Sequence, residues 1–223
     1  MTKATHIVWL DLETGGLRPD VNGILECAAI LTDGDLKEVS RFHRLVRSGM
    51  SMPIDDFVRE MHTKSGLISE LSHKPTVTHG ELDADLLSWM EGFGCIKRKT
   101  QLGGSSVHFD FGFLGSLVRE SYEMFSHRLV DVSAYRTVRN ALIHRDLEIG
   151  FPNKNNAPHR AMRDVEHSLE SARAIKEKLA ATETLKTKAS DMVTAYEVMW
   201  RQVHSGPPPG VSEDMKATLA LLG

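Results

Sequence analysis

The sequence is poor in cysteine, lacks long apolar runs and carries no excess of positive charge, and each shortage removes a class of protein. Two cysteines in 223 residues, Cys27 and Cys95, make neither a disulfide framework nor a zinc site. Each reads as a small core residue, with a reducing cytoplasm as the expected compartment. No apolar run approaches the roughly 18 residues that span a bilayer. Residues 1–6 (MTKATH) lead straight into a strand, with no signal-peptide hydrophobic segment expected. A formal net charge of −3 argues against a non-specific grip on long nucleic acid, which needs a basic face. That leaves open a small anionic ligand held by a few side chains and metal ions. The sequence has no internal repeat.

What is present is ordinary in bulk, with 41% hydrophobic and 26% charged residues, enough for one domain with a real core and an appendage. The informative stretch is 6–17 (HIVWLDLETGGL), which begins as a buried strand and ends at a Gly-Gly pair. Strand side chains alternate faces, so Asp11 and Glu13 project to one side and Leu12 to the other. Two acids side by side at the end of a buried strand are costly unless a positive charge lies between them. A divalent cation meets that need, and carboxylate oxygens suit Mg²⁺ or Mn²⁺. A turn whose acids simply face water is the competing reading.

Taken in order, residues 17–23 form a loop by their Pro, Asn and Gly content, and 24–32 (ILECAAILT) are a second buried strand. Asp33-Gly34 signals a hairpin into a third, antiparallel strand over 37–47. Glu26, inside the second strand, reads as a structural acid at a sheet edge rather than a further metal ligand. A short helix falls within 52–66. Another starts at Thr78 with Glu81 three positions on, a capping box, and buries Leu82, Leu86, Trp89, Met90 and Phe93. Residues 100–104 make a short strand, and Phe109-Asp110-Phe111 open a further helix, where an acid alone would only favour the positive end of the helix dipole. A strand over 128–133 precedes a helix capped by Ser133 and reaching about residue 144. After a polar loop at 153–158, His159 stands before a helix over about 161–181, whose buried stripe is Ala161, Val165, Leu169, Ala172 and Ile175. Asp164 lies near that stripe, where an unpaired acid would be costly. Beyond it the sequence predicts a helical extension over 182–223. That extension holds a helix at 190–203, a stiff Pro-rich linker at 205–210 (SGPPPG) and a short helix at 212–222. It packs on the main body or on a partner subunit and shows no chemistry. An antiparallel unit followed by strands alternating with helices predicts an α/β, three-layer domain over 1–181.

The acids then fall at element ends: Asp11 and Glu13, Asp110, and Asp164 with His159 five residues before it. This order, Asp-x-Glu, then Asp, then His-x-x-x-x-Asp, resembles the DEDDh 3′→5′ exonucleases, which implies a ribonuclease H-like fold with a mixed central sheet. The resemblance covers about residues 5–180. Within that superfamily, residues 9–17 (WLDLETGGL), 62–67 (HTKSGL), 131–133 (DVS) and 159–164 (HRAMRD) resemble oligoribonuclease signatures. Departures are His127 where the family usually has tyrosine before Arg128, and Phe57 where it has tryptophan. The spacing from Ser105 and Ser106 to Asp110 is also slightly long, and the tail extends beyond the usual length. They bear on substrate length and end recognition, not on hydrolysis.

The resemblance implies two-metal phosphodiester hydrolysis with Mg²⁺ or Mn²⁺ ions about 4 Å apart. Asp11 would bridge both ions, Glu13 and Asp164 complete one, and Asp110 act mainly on the other. His159 is the candidate general base, since an imidazole takes a proton near neutral pH. Leu17 would wedge against terminal bases, and Arg128 with Ser105 or Ser106 and Ser133 would hold a 5′ phosphate. His127 would reach across the interface of a homodimer. His62 is expected to organise the core near the site, and Phe57 or Phe109 could stack on a base. A substrate of about two to five nucleotides carries few phosphates, so a long basic track is not required. The leading reading is thus an exoribonuclease acting on short single-stranded RNA. The alternatives are an exonuclease acting on single-stranded DNA and a non-catalytic binding module that kept the fold.

Overall fold

A computed structural model describes residues 6–143 and 159–203. The expected loop at 153–158, the linker at 205–210 and the helix at 212–222 lie outside the described residues. β1 (His6–Thr14) carries the apolar run and both N-terminal acids. It pairs antiparallel with β2 (Ile24–Asp33), which pairs antiparallel with β3 (Glu38–Leu45) through the Asp33-Gly34 turn. A 3₁₀ turn at Arg47–Ser51 leads to α1 (Asp56–Lys64), α2 (Leu67–His73) and α3 (His79–Gly92). Next come β4 (Gln101–Gly104), α4 (His108–Leu117), α5 (Arg119–Tyr122), β5 (Val130–Asp131), α6 (Val132–Ile143) and α7 (Ala161–Val203). β4 lies parallel to β1 and β5 parallel to β4, giving a mixed five-stranded sheet in the order β3-β2-β1-β4-β5.

The sheet separates core from site by its alternation. Val8, Leu10 and Leu12 of β1 join Cys27, Ala29 and Leu31 of β2 in a cluster with Leu82, Leu86 and Met90 of α3 and Phe113 and Leu114 of α4. The opposite face receives Trp9, Asp11 and Glu13, with Ile30, Ala28 and Glu26 directly across in the register. The first part of α7, residues 161–173, covers that second face, since the Ala161 N–H donates to a Glu26 oxygen at 3.1 Å and Ser168 Oγ meets Ser105 Oγ at 3.0 Å. Helix, sheet and helix make the three expected layers. The fully buried Trp9 needs Gly103 beside it on β4, because a Cβ there would stand 2.7 Å from the indole ring. α3 begins with both halves of its capping box in place and buries Leu82, Leu86 and Met90, leaving Phe93 exposed.

Several local expectations change. Glu26 is structural but not at an edge, for β2 is an interior strand and the residue is only 1% exposed. The strand expected over 128–133 shortens to Val130–Asp131, because Asp131 begins the next helix. The cap there is the Asp131 carboxylate, whose Oδ1 accepts from the N–H groups of Ser133 at 2.9 Å and Ala134 at 3.2 Å. Ser133 adds its hydroxyl to the same oxygen at 2.7 Å. The helices expected at 161–181 and 190–203 are one, since residues 182–189 (TETLKTKA) contain no Gly or Pro to break it. α2 and α5 are short additions that the periodicity did not signal. The chain divides into two compact units, the first ending at Arg173 and the second beginning at Ala174. No helix among the described residues is long and apolar enough to cross a membrane.

Candidate active site

The site grows from the end of β1. Extended backbone turns Asp11 and Glu13 to the face covered by α7. Glu13 is buried and Asp11 half-buried. At the start of α7, His159 and Asp164 reach the same place. Each of Glu13, His159 and Asp164 offers a ligand atom, and these atoms lie within 4.8 Å of one another. Residues about 150 apart in the chain are thus side by side because β1 is central and α7 starts over its end.

Asp110 enters from the first turn of α4. Its Oδ1 accepts the Leu12 N–H at 2.9 Å, fastening α4 between the two acids of β1. Burial pushes its carboxyl up to about 7, with the charges of Asp131 and Asp164 adding to the rise and the Leu12 and Asp110 N–H groups opposing it. Cys27 lies under the same patch, its thiol pushed upward by burial and then by Asp110 and Asp11. The four acids and His159 therefore share one neighbourhood, with Glu13, His159 and Asp164 in the tightest group.

His62 of α1 supports this patch from below. It is fully buried, its Nε2 is 2.9 Å from the Thr14 carbonyl, and its Nδ1 lies 3.9 Å from a Glu13 oxygen. Burial lowers its pKa, so the neutral ring is favoured, and it holds the turn that follows β1. Gly15 N–H donates to the Gly23 carbonyl and Asp55 N–H to the Gly15 carbonyl. Gly16 has no room for a side chain, since a Cβ would meet Asp55 Oδ2 at 2.4 Å. From this pinned loop Leu17 stands out 76% exposed, and Phe57 at the start of α1 is 77% exposed.

The candidate phosphate-holding residues divide. Ser106 and Ser133 meet through Asp131: the Ser106 N–H donates to Asp131 Oδ1 at 3.1 Å and to Ser133 Oγ at 3.1 Å. Burial raises the Asp131 pKa, but hydrogen bonds from the Ser133 hydroxyl and the Ala134, Ser106 and Ser133 amides outweigh it and lower the pKa overall. Ser105 turns instead to Ser168 of α7. His127 and Arg128 are exposed in the loop before β5, where the Arg128 N–H donates to Ser126 Oγ at 3.2 Å. Phe109 packs on Phe113 with ring centroids 5.0 Å apart, which ties it to the core.

Sequence reasoning did not anticipate the cluster beside these residues. Glu26, across from Glu13, accepts Nη2–H and Nε–H of Arg160 at 2.8 and 3.1 Å and meets His43 Nε2 at 2.8 Å. Burial opposes its ionisation, but His43, Arg160 and the Ala161 N–H outweigh it and hold the carboxyl at about 2. The sequence signalled only that an acid in an otherwise apolar strand must have a cation, not that Arg160 supplies it.

Comparison with known proteins follows the same lines. The exonuclease family matches residues 8–171. The oligoribonuclease of Leifsonia xyli subsp. xyli is 32% identical over 177 residues, 78% of this chain and 82% of that protein. The Arabidopsis thaliana oligoribonuclease is 32% identical over 176 residues, 76% of each. The mitochondrial oligoribonuclease of Mus musculus is 30% identical over 174 residues, 74% of this chain and 70% of that protein. Among solved structures, exonuclease I of Methylocaldum szegediense superposes with a TM-score of 0.59 at 17% identity, covering 77% of this chain and 40% of that one. E. coli exonuclease I in complex with a 5cy-dT13 oligonucleotide gives 0.59 at 17% identity, with 86% and 46% covered. The chain spans less than half of those structures, and the likeness to them is one of fold. The match over residues 8–171 holds β1, α4 and the start of α7 together, and near one-third identity extends over most of both chains in its relatives. By these two findings the chain belongs to the exonuclease family, on its oligoribonuclease branch.

Proposed function

We propose that this metal-dependent 3′→5′ exoribonuclease hydrolyses short single-stranded oligoribonucleotides to nucleoside 5′-monophosphates, using Mg²⁺ or Mn²⁺ held by Asp11, Glu13, Asp110 and Asp164. The observation that carries the reading is the meeting of Glu13, Asp164 and His159 within 4.8 Å, beside the buried Asp110. The donor set fits a hard divalent cation, being carboxylate oxygens with one imidazole nearby. The upward push on Asp110 supports the fit, since like charges gathered at a buried place favour a cation among them. When bound, such ions neutralise the phosphate and lower the pKa of water.

The chain's own residues do the rest. His159, exposed at the start of α7, takes the proton from the attacking water as its oxygen bonds to phosphorus and the P–O bond to the 3′ oxygen breaks, that oxygen leaving as a hydroxyl with a proton from solvent. Leu17 presents a bare apolar side chain against which the terminal bases rest. Ser106, Ser133 and Arg128 hold the 5′ phosphate by hydrogen bonds, with Asp131 keeping the two serines in place. Ser105, engaged with Ser168, has a weaker claim to that role. A homodimer, with His127 reaching the neighbouring site, and a cytoplasmic setting complete the proposal.

A labelled RNA dinucleotide and a DNA 20-mer, each incubated with the protein and Mn²⁺, test it. The dinucleotide is expected to be consumed to mononucleotides and the 20-mer to persist. The reverse result would assign the chain to DNA. Asp11→Ala is expected to abolish metal-dependent cleavage while the fold is retained, and unchanged turnover would place the metal elsewhere.

A further inference from the structure

We propose that Arg160, gripped between Glu26 and Glu70, is the positioning residue that holds His159 and Asp164 against Glu13. The proposal rests on the hydrolytic role of His159 argued above. Arg160 lies between the two in sequence: His159 is bonded to it directly, and its carbonyl accepts the Asp164 N–H at 3.1 Å. Its guanidinium makes two pairs of contacts. Nε and Nη2 donate to Glu26 on β2, and Nη1 and Nη2 donate to Glu70 on α2 at 3.1 and 2.8 Å. Glu26 also accepts the Ala161 N–H at 3.1 Å, so one carboxylate holds both the side chain of Arg160 and the first helical amide of α7.

The placement of this grip gives it a consequence for chemistry. Glu26 sits directly across from Glu13 in the β1–β2 register, on the same face of the sheet. Fixing Arg160 to Glu26 therefore fixes the start of α7 relative to Glu13. Glu26 is 1% exposed on a central strand, a rigid anchor, while Glu70 brings a separate element to bear on the other edge of the guanidinium. A planar cation with five donors satisfies two carboxylates at once, which a lysine ammonium cannot do in the same geometry. A displacement of about 1 Å at a reacting group costs on the order of 100-fold in rate. The grip acts through His159 and Asp164 and touches no substrate.

The test is a double-mutant cycle with a short RNA substrate. Arg160→Ala is expected to lower kcat roughly 10- to 100-fold with KM within about twofold, as loss of orientation predicts. Arg160→Lys is expected to recover only part of that loss. In a His159→Ala background, Arg160→Ala is expected to cost clearly less than in the parent protein, because the part of its effect that passes through the ring is gone and only the part that passes through Asp164 remains. Independent, additive losses in the cycle would overturn the proposal, as would wild-type kcat in Arg160→Ala. A second readout needs no turnover: the His159 ring C–H resonance in metal-free protein is expected to move and broaden in Arg160→Ala, and an unchanged resonance overturns the proposal. Should Arg160→Ala fail to fold, Arg160→Lys and Glu70→Gln carry the same two measurements. Wild-type protein that left RNA uncut would refute the hydrolytic assignment, while the resonance would still decide what Arg160 does.

Discussion

At the scale of single residues, two buried carboxyls near the site respond to pH in opposite directions. Glu26 is held at about 2, below its ordinary 4.5, so the stability it lends is whole above about pH 4.5 and is lost as pH falls toward 2. Glu26→Gln is expected to lower unfolding free energy at pH 7 by about 3 kcal/mol, the gap from the parent protein closing through that window in urea melts. Asp110 is raised from 3.8 to about 7, so the folded chain keeps a proton that the unfolded chain has released, and stability falls as pH rises between those values. Asp110→Asn, which can still accept the Leu12 N–H, is expected to melt higher than the parent protein in EDTA at pH 8. Near pH 4 the two should melt alike, and the variant should be inactive with metal at either pH. That Asp11, Glu13, Asp110, Asp164 and His159 lie near one another was expected from the resemblance of their order to the DEDDh pattern, since spacing alone marked only Asp11 and Glu13. The grip on Arg160 was not, since an arginine after a histidine carries no pattern until a fold brings Glu26 and Glu70 to it.

At the scale of elements, periodicity and capping fared best where they were strongest. The Thr78 and Glu81 box starts α3 as read, and Thr78→Ala is expected to cost about 1 kcal/mol in thermal melts while turnover is unchanged. β4 runs beside β1 with Gly103 next to Trp9 in the register, so Gly103→Ala forces a methyl toward Trp9 and is expected to destabilise by about 1–3 kcal/mol. Asp131 was read as the body of a strand, but its side chain closes the first turn of α6. Short polar side chains at a strand-to-helix junction satisfy either role, and the Ser133 and Ala134 N–H groups bonded to the carboxylate make this one the cap. Asp131→Ala is expected to raise KM for a 5′-phosphorylated dinucleotide more than it lowers kcat, because Ser106 and Ser133 lose their common acceptor. Helix continuity through residues 182–189 was not read from the sequence, although no Gly or Pro there stops a helix.

At the scale of the whole molecule, the sheet order explains why so much of the site follows from so little sequence. β1 lies at the centre, with β2 on one side and β4 on the other, so its end is reached by α4 from one layer and α7 from the other. The α/β assignment was legible from the order of strands and helices and the mixed sheet from the family resemblance, whereas the depth of Glu26 needed the strand order itself. With a net charge of −3, binding of short RNA relies on local contacts. The slope of log(kcat/KM) against log[salt] for a dinucleotide is expected to be shallow, in keeping with about one or two phosphates neutralised.

The pairing of Trp9 with Gly103 has one more use. An indole sealed from solvent, two residues before Asp11 on the same side of β1, is a lamp placed beneath the carboxylates. In a Trp89→Phe, Trp200→Phe background its emission should be blue-shifted and resist acrylamide, yet dim as paramagnetic Mn²⁺ is titrated in, giving an optical count of metal uptake without any nucleic acid present.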